Sequence, residues 1–259
     1  METISYGDLV LVVHGNKTWL IRVDKGKNFQ THLSTIELDK LVGLPFGSRV
    51  NFGADYIFLK PTLENVIMKY KRLTQIIYQK DAGYILIKLG ISPGMKVLEM
   101  GTGSGALTSY LANVVRPDGK VITYDINEKF INAARENIKR ASLESWVEFR
   151  KFEGNLPEAE FDAAFVDLGD PWVYVDKIWS SLKPSSPVGF LLPTVDQLEK
   201  LDSALKKAGF WIDETVELLL RRMNVAEGKT RPSSIMVGHT AYLTFARKIE
   251  SKSSNMGIR

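Results

Sequence analysis

VLEMGTGSGAL, residues 97–107, decides the fold. An apolar β-prone run carries one acid, Glu99, and ends at Gly101-Thr102-Gly103-Ser104-Gly105. Ala106 and Leu107 then open a helix-like stretch, SGALTSYLANVV. A glycine turn between strand and helix places free backbone N–H groups at the carboxyl edge of a parallel sheet. Glycine also lets a ligand approach that backbone closely. The turn fits the dinucleotide fingerprint G-x-G-x-x-A as well as an S-adenosylmethionine site. A second acid, Asp125, ends the next β-prone run, KVITYD, 22 residues after Gly103. An acid there holds ribose hydroxyls, which leaves the two cofactors tied. Glu99 separates them. A carboxylate beside the turn repels a pyrophosphate and suits the cationic amino-acid end of S-adenosylmethionine.

Outward from this turn, β and α patterns alternate. DAGYILIKLG, with Asp81 near its start and Gly90 at its stop, is an expected helix before the turn. After it come EKFINAARENIKR as helix, WVEFRKF and FDAAFVDL as strands, and PWVYVDKIWSSL as helix. VGFLLP as strand and VDQLEKLDSALKKAG as helix follow. Two longer β-like runs close the pattern, FWIDETVELLLRRMNV and VGHTAYLTFARK. Such alternation specifies an α/β fold, a doubly wound and mostly parallel sheet of the Rossmann-like type. Residues 1–61 read differently: short β-prone runs such as DLVLVV, TWLIRV and ADYIFLKPT, separated by the turn-like HGNK and DKGK. They predict a small β-rich N-terminal domain. Residues 62–80 are expected to connect it, with a helix over Thr62–Arg72, to a cofactor-binding domain over 81–249, and 250–259 to form a disordered tail.

Composition bounds the rest. The chain has 259 residues, 44% hydrophobic and 25% charged, as a folded domain with an appendage requires. No apolar run reaches the roughly 18–20 residues that span a bilayer. METISYGDLV lacks the basic-then-apolar pattern of a signal peptide, so a cytoplasmic protein without a membrane partner is expected. Cysteine is absent, and His14, His32 and His239 lie far apart, so no metal site is expected. The net charge of +4 permits an RNA partner without requiring one.

AAFVDLGDPW, residues 163–172, supplies a candidate reaction site. Its apolar strand delivers Asp167 to the same sheet edge. A carboxylate there accepts hydrogen bonds from an exocyclic amine, and Pro171 and Trp172 could wall an aromatic slot. Asp170 could equally serve as a helix cap and Trp172 as core. The basic clusters Lys69, Lys71, Arg72 and Arg221, Arg222, Lys229, Arg231 are phosphate sites or solvated faces. His239, within an apolar run, reads as a structural or interface residue.

Taken together, RLTQIIYQKDAGYILIKLGISPGMKVLEMGTGSGALT, VDLGDPW and VGHTAYL resemble the TrmI-type tRNA (adenine-58-N1)-methyltransferases over nearly the whole chain. The turn is shared by many methyltransferases; QIIYQKD with DLGDPW and GHTAYL is far more specific. The resemblance implies a class I methyltransferase domain behind a small β domain, commonly a homotetramer, using S-adenosylmethionine to methylate N1 of the T-loop adenine of tRNA. By motif it implies that Gly101 to Leu107 hold the methionine part of the cofactor and Asp125 its ribose. Asn155 of FEGNLPEA, with Glu153 second, matches the next cofactor contact. Asp167 matches the catalytic aspartate, and Tyr78 the aromatic residue of the substrate pocket. Gly169 stands where several relatives carry proline. The other readings are a class I methyltransferase for protein or small molecules, a non-catalytic tRNA-binding partner subunit, and an NAD enzyme. The intact glycine turn and Asp167 weigh against the partner subunit.

Overall fold

The structure, a computed structural model, describes residues 2–249; the expected tail at 250–259 lies outside the described residues. The chain forms two compact units that divide between Tyr70 and Lys71.

The first unit is a four-stranded antiparallel sheet built from β1 (Leu9–His14), β2 (Lys17–Arg22), β5 (Ser48–Asn51) and β6 (Asp55–Leu59), in the order β2-β1-β6-β5. A hairpin of β3 (Asn28–Gln30) and β4 (Thr35–Glu37) accompanies it. Alternation does the sorting: in β6, Tyr56 and Phe58 are buried while Asp55 and Leu59 face outward. They pack with Val10, Val12, Ile21 and Ile36 into the unit's own core. Helix α1 (Leu63–Ile67) is shorter than expected and starts from a capping box between Thr62 and Asn65.

The second unit is the doubly wound one. Its elements are α2 (Gln79–Lys88), β7 (Lys96–Met100), α3 (Ala106–Val115), β8 (Lys120–Asp125), α4 (Glu128–Arg140), β9 (Val147–Lys151), β10 (Ala163–Val166), α5 (Val175–Ser181), β11 (Pro187–Leu192) and α6 (Val195–Ala208). The chain then continues through β12 (Phe210–Glu217), a two-residue pairing of β13 (Met223–Asn224) with β14 (Arg231–Pro232), and β15 (Tyr242–Lys248). The seven-stranded sheet runs β12-β15-β11-β10-β7-β8-β9. All neighbours are parallel except β15, which lies antiparallel between β11 and β12. The central strands read as continuous apolar runs because helices cover both faces: Ala163 to Val166 are wholly buried. The core gathers Leu98, Ile122, Val166, Phe190, Leu201 and Leu205.

Strand order reverses between β7 and β10, and that is where a doubly wound sheet opens a crevice at its carboxyl edge. β7, β8 and β10 end there with Glu99, Asp125 and Asp167 nearby.

One expectation fails along the way. The run FWIDETVELLLRRMNV is not one strand; β12 stops at Glu217. Leu219, Leu220, Met223 and Val225 beyond it are 60%, 52%, 54% and 79% exposed. Their apolar character mimics strand continuation, but only Met223 pairs, with Pro232, and all four stay exposed among the described residues.

Candidate active site

The crevice is a cavity of about 380 Å³ lined by the whole glycine turn from Gly101 to Ser104, by Ala106 and Leu107, and by Glu99, Asp125 and Asp167. Gly105 lies behind it, in the left-handed conformation at the N-terminus of α3 (φ +76°), with Ala134 of α4 close by. The turn requires glycine most at Gly101. Its φ is +98°, and a Cβ there would lie 2.1 Å from the carbonyl oxygen of Asp167. The ends of β7 and β10 are in backbone contact at this point.

Backbone and acid lock the turn together. The N–H of Gly103 donates to Asp125 Oδ2 (3.1 Å), and Asp125 Oδ1 accepts from the N–H of Asn127 (2.8 Å). Thr102 Oγ1 bonds Thr123 Oγ1 at 2.7 Å. Residues 71–77, read from the sequence as part of a connector, pack within the second unit. Thr74 Oγ1 meets Ser104 Oγ at 3.1 Å. Asn137, buried on α4, accepts from the N–H of Lys71 and donates to the carbonyls of Lys71 and Ser104. This one amide ties the segment to the turn, so that Thr74, Gln75, Ile76 and Ile77 complete the cavity wall.

Three carboxylates converge on a space that, among the described residues, has no lysine or arginine in its lining. Glu99 is buried beneath the turn and accepts from Thr108 Oγ1 at 2.6 Å. Burial pushes its carboxyl up to about 7; hydrogen bonds from Thr108 and Thr123 oppose the shift, while the charges of Asp167 and Asp125 add to it. Asp167 keeps part of its surface open, yet protein packs closely around its carboxyl. Burial, then the charge of Asp125, raises it to about 6. A cation entering this cavity relieves both acids, so the site is built for a positively charged ligand and hostile to a pyrophosphate. S-adenosylmethionine fits this donor set: acids for its ammonium and ribose, glycine N–H groups along the turn, and an apolar wall of Ile126 and Phe130.

Asp167, Leu168 and Gly169 also line a second cavity, of about 510 Å³. Its other walls include Tyr78, Asp81, Leu191, Pro193, His239 and Thr240. Tyr78 stands just before α2 and does not line the first cavity. The two candidate catalytic residues therefore share the second cavity, and Asp167 stands at the partition between the two.

Other expectations are corrected by packing. Asn155 and Glu153 are exposed and line neither cavity. Their loop is held by Phe152, edge-on to Tyr124 and Tyr174, and by Leu156 against the core, which turns the polar residues between them outward. Asp170 precedes the short turn Pro171–Tyr174 but makes no capping hydrogen bond with its side chain. Trp172 is partly buried under Lys200, whose ammonium lies 5.2 Å from the ring centre, and walls neither cavity. Ile126, Phe130 and the segment 74–77 were missed by sequence reasoning. Ile126 carried a signal, an apolar residue directly after a strand-ending acid; Phe130 reaches the site from the first turn of α4, and the segment 74–77 through the Asn137 tie.

The family profile described as "tRNA methyltransferase complex GCD14 subunit" matches residues 55–230. The chain belongs to this family. It is 32% identical to the Methanocaldococcus jannaschii tRNA (adenine(57)-N(1)/adenine(58)-N(1))-methyltransferase TrmI, over 92% of this chain and 94% of that one. It is 30% identical to the Thermus thermophilus tRNA (adenine(58)-N(1))-methyltransferase TrmI, over 93% and 97%. Among solved structures, the tRNA (m1A58) methyltransferase TrmI from Aquifex aeolicus is 37% identical with a TM-score of 0.84, covering 96% of this chain and 100% of that one. A Thermotoga maritima SAM-dependent O-methyltransferase superposes with a TM-score of 0.91 at 33% identity, covering 97% of each chain. The family thus supports a class I methyltransferase, as the strand order and cation-seeking cavity do.

Proposed function

We propose that this protein transfers a methyl group from S-adenosylmethionine to N1 of the T-loop adenine of tRNA, at position 58. The observation that carries the reading is the placement of Asp167 at the partition between an acidic cofactor cavity and a second cavity that also contains Tyr78. Glu99 faces the cofactor's ammonium, Asp125 its ribose, and Gly101 to Leu107 cradle its methionine part. Ile126 and Phe130 take the apolar face of its adenine. When bound, the cofactor supplies a methyl group activated by a sulfonium.

The chain's own residues do the rest. The target base leaves its stack and enters the second cavity, where Tyr78 stacks on it or bounds it. N1 of neutral adenine already presents an in-plane lone pair, so no base is needed before attack. Asp167, ionised, accepts a hydrogen bond from the exocyclic amine and orients N1 toward the first cavity. As N1 gains its methyl group the ring becomes cationic, and the same carboxylate favours that charge over the neutral ground state. A hydrogen bond to a charged group contributes roughly 1.5–3 kcal/mol.

The tRNA phosphates meet basic surface, for which exposed Arg221, Arg222, Lys229 and Arg231 are candidates. The exposed apolar residues of the same segment support self-association as a homotetramer, and a tRNA substrate supports a cytoplasmic location. Transcripts of tRNA with guanine in place of adenine at position 58, or at 57, test the reading. Methyl incorporation is lost with the first and retained with the second; full incorporation without an adenine at 58 overturns it. Partial loss with each would add position 57 to the targets.

A further inference from the structure

His239 stands at the rim of the second cavity, with both ring nitrogens against acceptors. Nδ1 lies 2.5 Å from Glu217 Oε1, and Nε2 lies 2.9 Å from the carbonyl oxygen of Pro193. A carboxylate and a carbonyl have no hydrogen to give. A neutral imidazole carries one N–H and satisfies one of them; the imidazolium carries two and satisfies both. The three partners come from three places. Pro193 follows β11, Glu217 ends β12, and His239 precedes β15, the strand that lies between those two. The ring thus bridges the neighbours of β15 at the carboxyl edge of the sheet.

What it holds is the root of a long exposed excursion. Residues 218–238 leave the sheet, pair briefly through β13 and β14, and return at His239. Next to it, Thr240 Oγ1 accepts from Lys80 Nζ (2.8 Å), and Lys80 also bonds the buried Asp81 (2.7 Å). Pro193, His239, Thr240 and Asp81 all line the second cavity. We infer that His239 acts as a cationic clasp: doubly protonated, it fixes the returning chain to Pro193 and Glu217 and so sets the shape of the cavity that receives the target base, making the grip on substrate weaken as pH rises.

The groups around the ring set the sign. Glu217 on β12 is the nearest charge and favours the imidazolium, as does the Pro193 carbonyl. Lys80 on α2 opposes it, but its ammonium is engaged by Asp81. Tyr242 on β15 offers its ring at 4.8 Å. The balance raises His239 above the ordinary histidine value. The clasp is therefore complete below about 6.5, the ordinary histidine value, and is lost as pH rises through the raised one. His239 is a positioning residue; nothing places it on the reacting atoms.

This inference rests on the second cavity being the substrate site, and its test is separable from that reading. Carbethoxylation by diethyl pyrocarbonate requires the neutral ring, so its rate at His239, read by peptide mass spectrometry across pH, reports the protonation state directly. The expected midpoint lies above about 6.5, the ordinary histidine value, and falls toward it in Glu217→Gln. A wild-type midpoint at or below that value, or no change in Glu217→Gln, overturns the clasp whatever the substrate is. In methylation assays, KM for tRNA rises roughly two- to fivefold between pH 6.5 and 9, as loss of one partly exposed charged pair predicts. In His239→Gln, KM is already raised at pH 6.5 and flat across the range, with most of the loss in KM. A wild-type KM profile that His239→Gln reproduces, with protonation as predicted, overturns the link to substrate grip.

Discussion

In the proposed mechanism Asp167 acts by staying ionised in a place that resists ionisation. Burial and the neighbouring Asp125 raise it to about 6, so its carboxylate fraction falls as pH drops through that value. Single-turnover methylation, with cofactor and tRNA saturating, is expected to decline on the acid side with a midpoint below about 6, because the cofactor's positive charge favours the carboxylate, and to be independent of pH through Asp167 above it. Asp167→Asn still accepts a hydrogen bond but carries no charge. It and Asp167→Ala are expected to lower that rate roughly 10- to 1,000-fold, as for loss of one preorganised electrostatic group. Asp167→Ala turning over like the wild type would remove Asp167 from the reaction. Glu99, Asp125 and Asp167 were legible as residues because each lies at or within one residue of the end of an apolar β-prone run, and parallel strands bring such ends to one edge. Asn155 was not, because its direction is decided by Phe152 and Leu156 on either side, whose burial the local sequence does not reveal.

Among elements, the tightest joint is between β7 and β10. Gly101 sits with φ +98° against the carbonyl of Asp167, and a methyl group there has no backbone-compatible place. Gly101→Ala must push the two strand ends apart or change the turn. It is expected to cost at least about 1–2 kcal/mol from the left-handed conformation alone, and to abolish binding of S-adenosylhomocysteine. Thermal melting with and without that ligand checks both; an unchanged ligand-induced shift would contradict the packing argument. The helices and strands of the second unit were readable from the sequence because period and punctuation agree there. EKFINAARENIKR, for instance, begins after the capping Asn127 and presents Ile131, Ala134 and Ile138 on one face. The segment 71–77 was not readable as part of the site. Its role depends on Asn137, more than sixty residues away in the chain, and a single buried amide leaves no pattern in its neighbours.

On the scale of the whole molecule, the apolar excursion after β12 is the largest departure from what the sequence implied. Leu219, Leu220, Met223, Val225, Ile235 and Val237 are all more than half exposed, and exposed apolar groups gathered in one segment mark an interaction surface. We expect a homotetramer, with a light-scattering mass close to four times the chain's 29.1 kDa at micromolar concentration. Replacing Leu220 and Val225 by serine is expected to shift the mass downward. A mass of one chain for the unaltered protein would contradict the expectation.

The central claim, that an acidic cofactor cavity and a base-binding cavity meet at Asp167 to methylate a ring nitrogen of adenine, is tested most directly by product identity. Unmodified tRNA is incubated with S-adenosylmethionine labelled in its methyl group, digested to nucleosides and separated. The account predicts the label in 1-methyladenosine from the T-loop. Label on a ribose oxygen, on a different base, or on no nucleoside at all would contradict it.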